Sequence, residues 1–155
     1  MLAMVVLGGL GGVAWQAWWP GVEGLAYQHE WILDPTRSGE DFAGTGGYLL
    51  GAAALGLLSG LAVARWVRPP LVALGVGLLG GLLAGWVMAV VGHLLGPVDP
   101  TALAASSPDL TRIPGELRVH GVSAYLAFPA GSLVALLVVF LTTAEPADSP
   151  NIGSA

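Results

Sequence analysis

Cysteine and lysine are both missing from the 155 residues, and acidic and basic residues together make up only 10%. Without cysteine there is no disulfide framework, no thiolate metal site and no cysteine nucleophile. A soluble domain carries about 25% charged residues, so a chain this poor in charge, 55% apolar and with a mean hydropathy of +0.76, has far too little polar surface to face water. Catalytic signatures are missing as well. No Gly-rich phosphate loop, Ser-His-Asp order, HExxH or paired-ligand spacing occurs, which lowers the expectation of an enzyme. With five basic residues, all Arg, and a net charge of −5, nothing points to nucleic acid. No cofactor is implied.

Long uncharged apolar runs take the place of those missing features. A helix needs roughly 20 apolar residues to cross the hydrocarbon layer, and four runs approach that length, at about 2–19, 44–66, 71–95 and 121–143. They predict an all-α integral membrane four-helix bundle, a single transmembrane domain over 1–144, followed by a disordered polar tail at 145–155. The first run has no basic n-region and ends in Trp18-Trp19-Pro20 rather than small residues, so it reads as a retained span rather than a cleaved leader. Trp15, Trp18 and Trp19 fit an interfacial belt. Pro129, near the first third of the last run, predicts a kink.

The link between the second and third runs is short and holds Arg65 and Arg68. Arginines in such a link favour the cytoplasmic side; they serve as topology determinants and offer a grip on anionic lipid headgroups. Both termini then lie in the cytoplasm of a bacterial plasma membrane, with two long loops outside. The first loop carries Glu23, Glu30, Asp34, Glu40 and Asp41 against Arg37. Its aromatic segment from Val22 to Leu33, bounded by Asp34-Pro35, has the composition of a small β-hairpin. The second loop carries four prolines and reads as irregular, with a short helix around Thr101 to Ala105. On this topology a cysteine at Thr36 is reachable from outside and one at Val67 is not.

Glycine, 24 residues in all, recurs inside the runs at four-residue steps: Gly8 and Gly12; Gly47 and Gly51; Gly56 and Gly60; Gly77, Gly81 and Gly85. Small-xxx-small spacing lets helix backbones approach closely where lipid supplies no hydrophobic drive. Whether the facing helix belongs to the same chain, a second copy or another protein is left open by the spacing.

Few side chains offer chemistry. His93 is the one ionisable group inside an apolar run, a functional candidate on that ground, although three residues before Gly96-Pro97 it falls near the outer interface. Gln16 sits near the same level and could hydrogen-bond to it. His29 and Glu30 with Asp34, and Glu116 with His120, could converge above the bundle as an N/O metal site or an acid–base pair, or be solvated loop residues. No run carries a charge at mid-depth, which argues against an ion-coupled transporter.

Gly44-Thr-Gly-Gly-Tyr-Leu-Leu-Gly after an acidic loop, Arg65-Trp-Val-Arg-Pro-Pro, Gly92-His-Leu-Leu-Gly-Pro and the proline-containing last run together resemble a family of small actinobacterial membrane proteins of uncharacterised function, over residues 20 to 142. The resemblance implies four spans in an actinobacterial plasma membrane and transfers no activity. The sequence is therefore read as a non-catalytic accessory or scaffold subunit of a cell-envelope membrane complex, with the bilayer and a membrane-protein partner or a second copy as its contacts. The alternatives are a small oligomeric transporter or channel with His93 and Gln16 at its outer mouth, and an enzyme of the outer face.

Overall fold

A computed structural model describes residues 1–19, 21–33, 38–119 and 121–143. Most of them are helical. Helix α1 (Leu2–Trp18) ends where Trp19, the residue before Pro20, turns extended at φ −68°, ψ 124°, as pre-proline sterics favour. Helix α2 (Ser38–Trp66) runs on to the Arg65 link. Helix α3 (Pro70–Leu95) opens with proline in its first turn and stops at an extended Gly96, an arrangement that sacrifices no internal hydrogen bond. Among the described residues three helical segments are long and apolar enough to cross a membrane: α2 from Ala43, α3, and the last segment from Val122 to Thr143. The first run falls short of the other three, because its 17 helical residues rise only about 25 Å.

The last segment carries Pro129 close to a change of helix type. It begins as a 3-10 turn over Val122–Leu126 and becomes α-helical as α5 (Ala127–Thr143). Pro129 therefore falls in the first turn of α5, where its missing N–H costs little.

The loops build a cap at one end of the helices. Strands β1 (Glu23–Tyr27) and β2 (Glu30–Leu33) form the expected hairpin. Its reversal lies at Gln28 and His29, both at positive φ (52° and 67°), the geometry that matches strand twist in a two-residue turn; Asp34 and Pro35 lie outside the described residues. The second loop is more ordered than its prolines suggest. It holds α4 (Pro100–Ser106) and β3 (Arg112–Pro114), which completes a three-stranded antiparallel sheet in the order β2-β1-β3. Ala26, Ala104 and Ile113 form a small second core beneath Trp31. The expected tail at 145–155 lies outside the described residues.

Glycine decides which helices meet. A Cβ on Gly8 or Gly12 would run into the backbone of Ala84 or Met88, so α1 lies against α3. Gly56 and Gly60 meet the carbonyls of Phe128 and Ser132, and Gly131 reciprocates against Ala53, so α2 lies against α5. Gly77, Gly81 and Gly85 face Leu136, Pro129 and Tyr125 and join α3 to α5. All seven α2 and α3 glycines singled out by spacing thus abut neighbouring helices or their side chains within this chain, Gly47 and Gly51 meeting only the side chains of Trp15 and Met88. The tightest pairs, α1 with α3 and α2 with α5, are parallel and non-consecutive. Tyr48, Met88, Phe128 and Leu136 are buried in the main core together with Met4, Trp15, Val63, Leu117 and several alanines.

Candidate functional site at the capped end

The final turn of α3 brings His93 to the level where the chain between β3 and α5 crosses the bundle. That crossing segment is held from both sides. Gly115 donates its N–H to the Val22 carbonyl at 2.6 Å, and the Trp31 ring lies so close that a Cβ at Gly115 would sit 3.0 Å from it. Trp31 in turn donates Nε1–H to the Ile113 carbonyl at 3.3 Å. Below, Leu117 is fully buried in the main core. With Gly115 and Leu117 turned inward, Glu116 and Arg118 are left on the side that faces α4.

His93 Nδ1 lies 3.3 Å from Glu116 Oε1 and 3.3 Å from the Leu117 carbonyl. Both neighbours are acceptors, so the Nδ1–H tautomer satisfies them and leaves Nε2 as the basic nitrogen. The His93 side chain is about half exposed and that of Glu116 mostly covered. Glu116 also lines a cavity of 340 Å³ with Trp31, Leu33, Asp99, Pro100, Thr101 and Arg118. Asp99 caps α4 by accepting the Thr101 N–H at 2.8 Å. Hydrogen bonds from the Thr101 hydroxyl and backbone, and more weakly the Arg118 charge, hold its carboxyl below the usual carboxylate range. The pocket therefore presents two carboxylates, a guanidinium and an indole, a set suited to binding a polar or zwitterionic molecule.

The proposed pairings fare differently. His93 turns to Glu116 and Leu117, and among the described residues no hydrogen bond links it to Gln16. Glu116 meets His93, and His120 lies outside the described residues. His29 and Glu30 sit exposed at the hairpin tip, which is tied down by the Gln28 N–H donating to Asp109 at 2.9 Å. Asp34 lies outside the described residues, and among those described no group of three His, Asp or Glu side chains could hold a metal. Asp99, Arg118 and Trp31 were not singled out by sequence reading. Asp99-Pro100-Thr101 does carry a signal, an N-cap acid followed by proline at the first helical position, whereas Trp31 becomes legible only once β3 is known to lie beneath it.

Trp15 departs from the interfacial belt expected of it. It is buried, donates Nε1–H to the Gly44 carbonyl at 2.8 Å and stands edge-on to Tyr48 with ring centroids 5.3 Å apart. Trp18 is 76% exposed at the end of α1. Comparison with family models, with curated proteins and with solved structures finds no match.

Proposed function

We propose that the protein is a four-span plasma-membrane protein with a non-catalytic role, an accessory or scaffold subunit of a larger envelope complex. Its exterior supports the membrane reading. Leu2, Val6, Leu10 and Val13 on α1, Leu57, Leu58 and Leu61 on α2, Leu78, Leu79, Leu82 and Leu83 on α3, and Val134, Leu137, Val138 and Leu141 on α5 all point outward, while glycine and alanine line the closest helix contacts inside. That inverts the pattern of a soluble bundle and suits lipid. Helix α1 joins as a fourth span, its shortfall absorbed by local thinning or by its flanking residues. Both termini are placed in the cytoplasm, from Arg65 and Arg68 in the short link. The resemblance to small actinobacterial membrane proteins points the same way.

One observation carries the accessory role. Helices α1 and α2 diverge around a 410 Å³ groove lined by Leu7, Leu10, Gly11, Gly47, Gly51 and Ala54 among others. A Cβ at Gly47 would be 3.6 Å from Trp15, and one at Gly51 would meet only the flexible end of Met88. Trp15, Leu55 and Met88 line the floor of the groove, and the open space above them is shaped to take one transmembrane helix of a larger partner.

Gentle extraction of the tagged protein from its native membrane, with mass spectrometry of what stays bound and an unrelated four-span protein as control, tests the reading. A stoichiometric larger membrane protein that is lost from Gly47→Leu supports it. A homo-oligomer moves the weight to the transporter reading, and a free monomer removes the accessory role.

A further inference from the structure

At the end of the bundle away from the cap, the last turns of α2 and α5 and the start of α3 separate around a second cavity, of 510 Å³. Its wall is apolar: Leu61, Ala64, Val67, Pro70, Val139 and Phe140. Its polar lining comes from Arg65 and Arg68, with Thr143 at the edge. The Thr143 hydroxyl is already committed to the Val139 carbonyl at 2.8 Å. Neither arginine has an acidic partner among the described residues, whereas Arg112 at the capped end faces Glu23 at 3.5 Å. Trp66, 80% exposed, follows Arg65 at the end of α2, and an exposed indole at a helix end suits headgroup level.

We propose that this cavity is a binding site for one anionic phospholipid. The phosphate is held between the Arg65 and Arg68 guanidiniums, and an acyl chain runs along Leu61, Val139 and Phe140. Three features together favour this occupant. Two guanidiniums without an acidic partner among the described residues fit a phosphate, which guanidinium forks bind in a bidentate manner. The wall beneath them is apolar, so an inorganic ion would leave it unfilled. The cavity opens at the helix ends, the level at which a lipid phosphate would lie. Two arginines serving topology alone would need no cavity between them. The inference rests on the membrane reading of the preceding section.

Native mass spectrometry of the full-length protein, purified in detergent and offered phosphatidylglycerol and phosphatidylcholine with identical acyl chains, tests the site. Preferential retention of one phosphatidylglycerol is expected, and Arg65→Gln with Arg68→Gln should reduce that preference on the order of tenfold, as the removal of two surface charges implies. Arg112→Gln, which removes a charge at the other end, should leave it intact. Val139→Trp, which fills the wall and spares both charges, should lower retention too, and it decides the matter if the double variant does not fold. Equal retention of the two lipids, a preference that survives in the double variant or in Val139→Trp, or displacement by millimolar inorganic phosphate would overturn the proposal. Carbonate washing of the source membranes separates the two readings: a chain that stays in the pellet but shows no lipid preference loses the site and keeps the membrane assignment.

Discussion

Ser132 is fully buried between the glycine faces of α2 and α3, and its hydroxyl has no hydrogen-bond partner among the described residues. A buried hydroxyl without a partner costs about 1–3 kcal/mol of desolvation. Ser132→Ala should therefore leave thermal stability in detergent unchanged or raised by about 1 kcal/mol. A loss of that size instead would reveal a partner for the hydroxyl. The contrast with Tyr48 is instructive. Its hydroxyl, equally buried, donates to the Gly85 carbonyl at 2.7 Å, an approach that Gly85 permits because a Cβ there would sit 3.3 Å from that oxygen. Neither arrangement follows from the identity of the residue, since Ser and Tyr differ here only in what the packing sets opposite them.

Among the elements, α4 depends most on a single ionisable group. Asp99 caps it, and the Thr101 hydrogen bonds lower the Asp99 carboxyl below its ordinary value of 3.8. A folded-state value below the unfolded one means that the stabilisation is present above the unfolded value and is lost as the pH falls through the folded one. Amide exchange in Pro100–Ser106 should accordingly accelerate, relative to intrinsic rates, on acidification below about pH 4, while Asp99→Asn, which keeps a capping oxygen without a charge to titrate, should show a flat response. A wild-type cap insensitive to acid would remove the charge from the account. The hairpin is the complementary case, because its turn at Gln28-His29 has neither glycine nor asparagine, and it rests on β3 and the Asp109 contact rather than on its own turn chemistry.

At the scale of the molecule, the glycine contacts predict a sharp division between positions. Gly56→Leu drives a side chain into the Phe128 carbonyl, which belongs to backbone and cannot yield, so the folded yield should collapse. Gly75→Leu meets nothing within 4 Å and should fold like the parent by size-exclusion chromatography and thermal melting. Equal tolerance of the two would mean that α2 and α5 do not pack as described. Orientation is open to labelling, since the chain has no native thiol. With the cap outside, His29→Cys should react with an impermeant maleimide in intact cells, and Trp66→Cys only after permeabilisation; the reverse pattern would move the capped pocket to the cytoplasm.

The apolar runs, their bounding prolines and the glycine spacing were all present in the sequence, because hydropathy and Pro/Gly stereochemistry act over a few residues and need no knowledge of the rest of the chain. They were enough to expect four apolar helices, of which three prove long enough to cross a membrane, to expect the hairpin, and to mark Gly56, Gly60, Gly77, Gly81 and Gly85 as contact positions. Only the tertiary structure decided that α1 pairs with α3 and α2 with α5, that Trp15 turns inward to Gly44, and that His93 meets Glu116 rather than Gln16. The reason is physical: small-xxx-small spacing says that a helix has a face for close approach, while the identity of the opposing face depends on how all the helices fill space together. The His93–Glu116 contact joins groups from opposite sides of an excursion through α4 and β3, so it exists only once the cap has folded over the end of the bundle.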